Sequence, residues 1–200
     1  NVMSTWPDQI DMHTSGWEYY VRPTPARLDK LLATYGNTRA LIVNYDYISA
    51  RWEQLRPFNF DMWIGDESLE FKDCRTDRYK HLKHITSKIP TKLILNGTPM
   101  TEDMEDLYGQ FSLIDEGGAH IGRTLTQYRT KYMQPDQYGY GWVPQKSAYT
   151  RFQTAVKEIS YWLTTKPEGV VMPEIKYAKM EVPPTPTQTE IDRKLCHDFR

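Results

Sequence analysis

Two adjacent carboxylates and a Gly-Thr-Pro turn, each placed directly after an apolar run, carry most of the chemistry visible in this 200-residue chain. Asp61-Met62-Trp63-Ile64-Gly65 leads into Asp66-Glu67-Ser68-Leu69, and Lys92-Leu93-Ile94-Leu95 leads into Asn96-Gly97-Thr98-Pro99-Met100. If both runs are buried parallel strands, the two loops share one rim of a sheet, the rim where open α/β sheets bind ligands. Together the loops suggest nucleotide hydrolysis coupled to movement. Phosphoryl transfer needs a metal near the β and γ phosphates and a group that orients the attacking water. Asp66, at a strand end, is positioned to hold Mg²⁺ directly or through its water shell, and Glu67 beside it points elsewhere and can polarise water. Mg²⁺ needs only one or two carboxylates plus waters and substrate phosphates. Taken alone, an Asp-Glu pair after apolar residues also reads as the plain start of a loop or helix.

Positioning those loops requires alternating strands and helices up to about Asp115. The sequence predicts strands at Val2–Thr5, Glu18–Arg22, Ala40–Asn44, Met62–Gly65 and Lys92–Leu95. One helix is expected over Thr24–Thr34, where Pro25 suits a first turn and Leu28, Leu31 and Leu32 share a face. A second is expected over Thr76–Ile89, with Tyr79, Leu82, Ile85 and Ile89 on one stripe. Thr101 reads as an N-cap followed by Glu102 and Asp103, whose charges suit the helix dipole. Met104, Leu107, Tyr108 and Phe111 then recur at helical spacing. Such alternation implies an α/β fold with a parallel, doubly wound sheet.

The pattern changes after residue 115. Residues 116–148 hold Gly117-Gly118, Gly122, Gly139 and Gly141 and many Tyr and Gln, with little periodicity, and read as a protrusion or insertion. Residues 149–200 read as a connector region. It contains a helix over Thr150–Leu163, an alternating edge strand over Glu174–Val182, a stop at Pro183-Pro184-Thr185-Pro186 and a further helix over Thr187–Phe199.

Composition bounds the setting. A 39% hydrophobic content supports a packed core, and a net charge of −1 gives no global basic field. A basic groove on one face remains compatible with that total. Arg123, Tyr128, Arg129, Lys131, Tyr132, Tyr138, Tyr140 and Trp142 interleave cations with rings. They read either as a surface that neutralises phosphates and stacks bases or as aromatics packing a protrusion onto the core. Cys74 and Cys196 form no CxxC pair, which argues for a reducing compartment. No stretch approaches the roughly 18 apolar residues of a membrane span, so no membrane partner is expected. His81 and His84, three apart on a predicted helix, read as a solvated helix face.

The ordered loops also carry a resemblance. Asp-Glu-Ser and, one strand–helix unit later, Leu-Asn-Gly-Thr-Pro-Met resemble motifs II and III of the superfamily-two helicases. They are most similar to the Swi/Snf-type DNA translocases and their phage-encoded relatives, which read Asp-Glu-Ala-His and Leu-Thr-Gly-Thr-Pro there. Ser4-Thr5-Trp6-Pro7-Asp8-Gln9 is similar to the motif Ia region, and Leu41-Ile42-Val43-Asn44-Tyr45-Asp46 to the strand ending in Tyr before motif II. Phe71-Lys72-Asp73 resembles the segment after the acidic box. Asp106-Leu107-Tyr108-Gly109-Gln110-Phe111 resembles the helix after motif III, and Tyr128-Arg129-Thr130-Lys131-Tyr132 the aromatic-basic segment beyond.

This resemblance implies the first RecA-like (P-loop NTPase) lobe, residues 1–115, of an ATP-dependent motor on duplex DNA. ATP and Mg²⁺ would be its cofactors and a second RecA-like lobe, absent from these residues, its partner. Asp66 would coordinate the Mg²⁺ of MgATP and Glu67 would act as the base-like residue on the hydrolytic water. Gly97 and Thr98 would link the ATP site to the DNA-contacting surface, and Arg123, Arg129 and Lys131 would lie near the DNA path. A cytoplasmic location in a bacterial or phage-infected cell is expected. Departures from the family pattern narrow the expectation. Leu69 stands where the acidic box usually ends in His or Asp, which removes its polar link to motif III, and Asn96 replaces Thr. Trp162-Leu163-Thr164-Thr165-Lys166 lacks two arginines found in similar runs. No G-x-x-x-x-G-K-S/T loop is present to cradle phosphates. The chain is therefore expected to begin inside motif Ia and to turn over poorly by itself. Two other readings stand beside this one: a non-catalytic DNA- or protein-binding platform derived from a motor lobe, and a Mg²⁺-dependent nuclease using Asp66 and Glu67.

Overall fold

The first element of the computed structural model, which describes residues 2–33, 39–100, 103–162, 183–189 and 191, corrects the sequence reading. The strand expected at Val2–Thr5 is the start of helix α1 (Val2–His13). Met3, Trp6, Pro7 and Ile10 are half-buried while Ser4, Thr5, Asp8 and Gln9 are exposed. That is the three-and-four spacing of a helix with one packed face, not the period of two of a strand. Strand β1 (Glu18–Val21), helix α2 (Pro25–Ala33) and strand β2 (Arg39–Ile42) then form a β-α-β unit, paired in parallel from Glu18 opposite Arg39 to Val21 opposite Ile42.

Helix α3 (Tyr45–Leu55) follows, an element the sequence reading did not contain. The Asn44 side chain accepts the Tyr47 backbone N–H at 3.2 Å and caps it. Strand β3 (Met62–Gly65), helix α4 (Asp77–Thr86) and strand β4 (Thr91–Ile94) make the second β-α-β unit, with Ile64 opposite Leu93 and Gly65 opposite Ile94. Thr76 caps α4 by accepting the Tyr79 N–H. The parallel α/β architecture is as expected. Among the described residues, though, the strands form separate two-stranded ladders instead of one continuous doubly wound sheet.

Leu28, Ile48, Leu55, Phe71, Tyr79, Leu82, Ile85 and Ile89 form the core beside these ladders, with Trp63 and Ile94 packed against it from β3 and β4. The opposite face is open. Met62, Ile64, Leu93 and Leu95 are 37–50% exposed. The expectation that both strands are buried is corrected here. A continuous apolar run suggested full burial, but only its alternate residues meet the core.

Residues 106–159 are more regular than expected. Helices α5 (Asp106–Phe111) and α6 (Leu125–Tyr132), a hairpin of β5 (Met133–Pro135) and β6 (Trp142–Pro144), and helix α7 (Ala148–Ala155) follow in turn. The rings of Tyr108, Phe111, Tyr128, Tyr132 and Phe152 meet with centroids 5.0–6.2 Å apart. The expected helix over Thr150–Leu163 starts at Ala148, and after Ala155 it gives way to a 3-10 turn, Lys157–Ile159.

Two compact units divide the chain, 1–161 and 162–200. In the second, residues 186–189 are helical. Thr185 and Gln188 cap this turn reciprocally: Gln188 Oε1 accepts the Thr185 N–H at 2.8 Å and Thr185 Oγ1 accepts the Gln188 N–H at 3.3 Å. The expected edge strand at 174–182, most of the helix expected over 187–199, and the Thr101 cap lie outside the described residues. No described helix is long and apolar enough to cross a membrane.

Candidate functional site

Asp66 leaves β3 through Gly65, and the local packing explains that glycine. A Cβ at Gly65 would sit 2.5 Å from one atom of the Trp63 ring and 3.2 Å from the Phe71 ring. Both carboxylate oxygens of Asp66 are engaged. Oδ2 accepts the Trp6 indole N–H at 2.9 Å, and Oδ1 accepts the Glu67 backbone N–H at 3.0 Å. The Tyr45 hydroxyl donates to the Asp66 backbone carbonyl. Burial, reinforced by the negative charge of Asp66, pushes the Tyr45 pKa well above the usual phenol value, so the hydroxyl stays a donor. Trp6 and Tyr45 were legible only as members of resembling segments; their contact with Asp66 spans 60 and 21 residues.

Glu67 lies at the rim with φ 53° and ψ 57° and an exposed side chain. Non-glycine residues seldom adopt this left-handed conformation, and holding one there costs about 1–3 kcal/mol. The backbone around it is fixed. Leu95 N–H donates to the Gly65 carbonyl at 2.9 Å, and Ser68 N–H donates to the Leu95 carbonyl at 3.2 Å, extending the β3–β4 pairing into both loops.

A buried polar ring joins the loops side by side. Ser68 Oγ donates to Gln110 Oε1 at 2.6 Å. Asn96 Nδ2 reaches Ser68 Oγ at 3.2 Å and Gln110 Oε1 at 3.3 Å. Gln110 Nε2 donates to the carbonyls of Pro99 at 2.6 Å and Asp106 at 2.9 Å. Asn96 Oδ1 accepts the Thr98 N–H at 2.9 Å, which shapes the exposed Gly97–Thr98 turn. The sequence reading missed Ser68 and Gln110. The available signal was a glutamine amid the apolar stripe Leu107, Tyr108 and Phe111. With Leu69 in the usual position of a polar residue, the link between the loops runs through its neighbour Ser68 instead.

The other candidate residues are scattered by role. Arg129 grips Glu105 through two bonds of 2.7 and 2.8 Å and stacks on the Trp142 ring at 5.3 Å. The exposed Lys131 donates to the His120 carbonyl, and the exposed Arg123 donates to the Gly117 carbonyl. Tyr128 and Tyr132 are fully buried, whereas Tyr138 and Tyr140 are 73% and 96% exposed. The aromatic-basic segment thus divides between packing and surface. Of the two histidines expected on a solvated face, His84 is exposed, whereas His81 is half-buried, stacked on Trp52 with centroids 4.9 Å apart and paired with Ser49.

The donor set suits a hydrated Mg²⁺. Each Asp66 oxygen makes one hydrogen bond and keeps a lone pair, since a carboxylate accepts about four bonds. No group of three or more His, Cys, Asp and Glu side chains that would cage a metal occurs among the described residues. That leaves an ion dependent on water and phosphate oxygens, as Mg²⁺ prefers. The sequence contains no glycine-rich phosphate cradle beside these carboxylates.

Comparison with known proteins bears on this geometry. A family profile, SNF2-related domain, matches residues 1–158. Protein p41 of Acyrthosiphon pisum secondary endosymbiont phage 1 is 25% identical over 173 residues, covering 80% of this chain and 37% of its own length. The human DNA repair and recombination protein RAD54B is 30% identical over 95 residues, covering 48% of this chain and 10% of its own. A solved structure, the Sulfolobus solfataricus SWI2/SNF2 ATPase core in complex with dsDNA, superposes with a TM-score of 0.60 at 16% identity. That match covers 78% of this chain and 30% of the other, and shows a shared fold. The chain thus spans about a third or less of the relatives it matches.

Proposed function

Because this chain belongs to the SNF2-related domain family, we propose that it forms the first RecA-like lobe of an ATP-dependent translocase or helicase on duplex DNA. The observation that carries the reading is the shared rim: the Asp66-Glu67 and Gly97-Thr98 loops leave adjacent parallel strands and are bonded to each other. Asp66, oriented by Trp6, would hold Mg²⁺, which when bound neutralises charge developing on the phosphates. Glu67, exposed beside it, would orient and polarise the attacking water. Gly97 and Thr98 would report the state of this site to the DNA surface, where Arg123 and Lys131 carry exposed cations and Arg129 holds the hairpin. A second lobe would complete the nucleotide site, and the setting would be the cytoplasm of a bacterial or phage-infected cell. Support for DNA as partner comes from the relatives, one named for DNA repair and one solved with dsDNA.

In the full-length protein, Glu67→Gln is expected to lower ATP turnover by roughly 10²–10⁴-fold while leaving ATP binding intact. Turnover near that of the wild type would overturn the assignment. Retained DNA binding with no ATP turnover in the wild type would instead favour the binding-platform reading.

A further inference from the structure

We propose that Gln110 is the positioning residue that locks the acidic loop to the Gly97–Thr98 loop, so that displacement of one is transmitted to the other. The proposal rests on the motor reading above and adds the part through which its two loops communicate.

Three observations carry it. First, Gln110 is fully buried and all of its amide capacity is used. Oε1 accepts from Ser68 and Asn96, and Nε2 donates to the Pro99 and Asp106 carbonyls. A side-chain amide has two donors and two acceptor sites, so each bond has one assigned place and the rotamer is fixed. Second, these partners belong to different pieces of chain. Ser68 follows Glu67 directly, while Asn96 and Pro99 bracket Gly97 and Thr98. Third, α5 cannot drift away from the acidic loop without breaking a tight fit. A Cβ on Gly109 would lie 2.0 Å from the Lys72 carbonyl oxygen, so the helix backbone touches the chain just past the Ser68–Phe71 turn. Fully paired buried polar groups are rigid, and leaving one unpaired is unfavourable. A shift of the Gly97–Thr98 turn therefore pulls on Pro99 and Asn96, then on Gln110 and Ser68, and so on the strained backbone of Glu67. In this chain Ser68 and Gln110 supply the polar connection that Leu69 cannot.

The test is ATP turnover by the full-length protein with and without duplex DNA. Gln110→Met keeps the length of the side chain and removes all four bonds. The expected result is at least a tenfold fall in the stimulation by DNA, with the KM for ATP changed less than twofold. A merely structural role would lower the basal and stimulated rates together and leave their ratio alone. Ser68→Ala, a smaller change, is expected to move the ratio in the same direction, and the double variant should be no worse than Gln110→Met alone. If Gln110→Met does not fold, Ser68→Ala and Gln110→Glu, which loses the donors to Pro99 and Asp106, carry the test. An unchanged ratio in the folded variants overturns the role of Gln110. A wild type whose turnover ignores DNA overturns the motor reading itself.

Discussion

At the β3–β4 rim, Ser68, Asn96 and Gln110 join two loops through directed hydrogen bonds. Between α5, α6 and α7, five aromatic rings fill the interior, and polar atoms are confined to hydroxyls at their edges. Tyr128 donates to the Met104 carbonyl at 2.7 Å and Tyr108 to the Arg123 carbonyl at 3.2 Å. Burial pushes the Tyr108 pKa up to about 12 and that of Tyr128 higher still, so both remain donors. The rim depends on direction: a bond made at the wrong angle is worth little. The aromatic region depends on area, with each large ring burying on the order of 150–250 Å². One arrangement specifies where loops sit, the other supplies the stability against which they are held. α5 belongs to both, since Gln110 faces the rim while Phe111 and Tyr108 face the rings.

That division breaks most visibly at Phe152, whose ring meets those of Phe111, Tyr128 and Tyr132. Phe152→Ala is expected to cost about 3–5 kcal/mol of stability, measured by urea unfolding of the full-length protein. Under conditions where the variant is folded, its stimulation by DNA should equal that of the wild type. A lost response in folded protein would mean the two regions are not separable. Gly109→Ala sits on the shared helix and sharpens the contrast. Its new methyl would strike the Lys72 backbone, for an overpacking penalty of about 1–3 kcal/mol. It should lower both stability and the DNA response, and a change in stability alone would place the coupling elsewhere. The smallest effect belongs to Tyr45→Phe, which removes one donor from the Asp66 carbonyl and should cost about 1 kcal/mol. Its signature is a shifted Mg²⁺ dependence of turnover, because the loop that carries Asp66 loses a restraint; an unaltered Mg²⁺ titration would count against that restraint.

Much of the frame was legible from local pattern. Three of the strands observed at β1 to β4 differ by one or two residues from their expected bounds, and β3 matches, because apolar runs bounded by Gly, Pro and polar turns are local signals. The α1 segment misled because Val2 and Met3 suggest a strand, whereas the repeat that decides, Met3, Trp6 and Ile10, becomes clear only across two turns. α3 was hidden behind the apolar run before it, although Asn44 is a regular cap. The tyrosines of 128–142 could not be sorted by type. The same residue packs at 128 and lies open to solvent at 140, and only the fold of α6 against α5 and α7 separates them.

For the site, the sequence alone determined which residues stand at the two strand ends: Asp66 and Glu67 after one, Gly97 and Thr98 after the other. Their order and spacing are covalent facts. The tertiary structure decided what surrounds them. It brings Trp6 to Asp66 across 60 positions and Ser68 to Gln110 across 42. It also turns Met62, Ile64, Leu93 and Leu95 of the β3–β4 pair outward, although these are apolar residues. The reason is physical. Periodicity reports which face of an element is apolar, but a hydrogen bond between distant side chains exists only once packing has set their separation and angle.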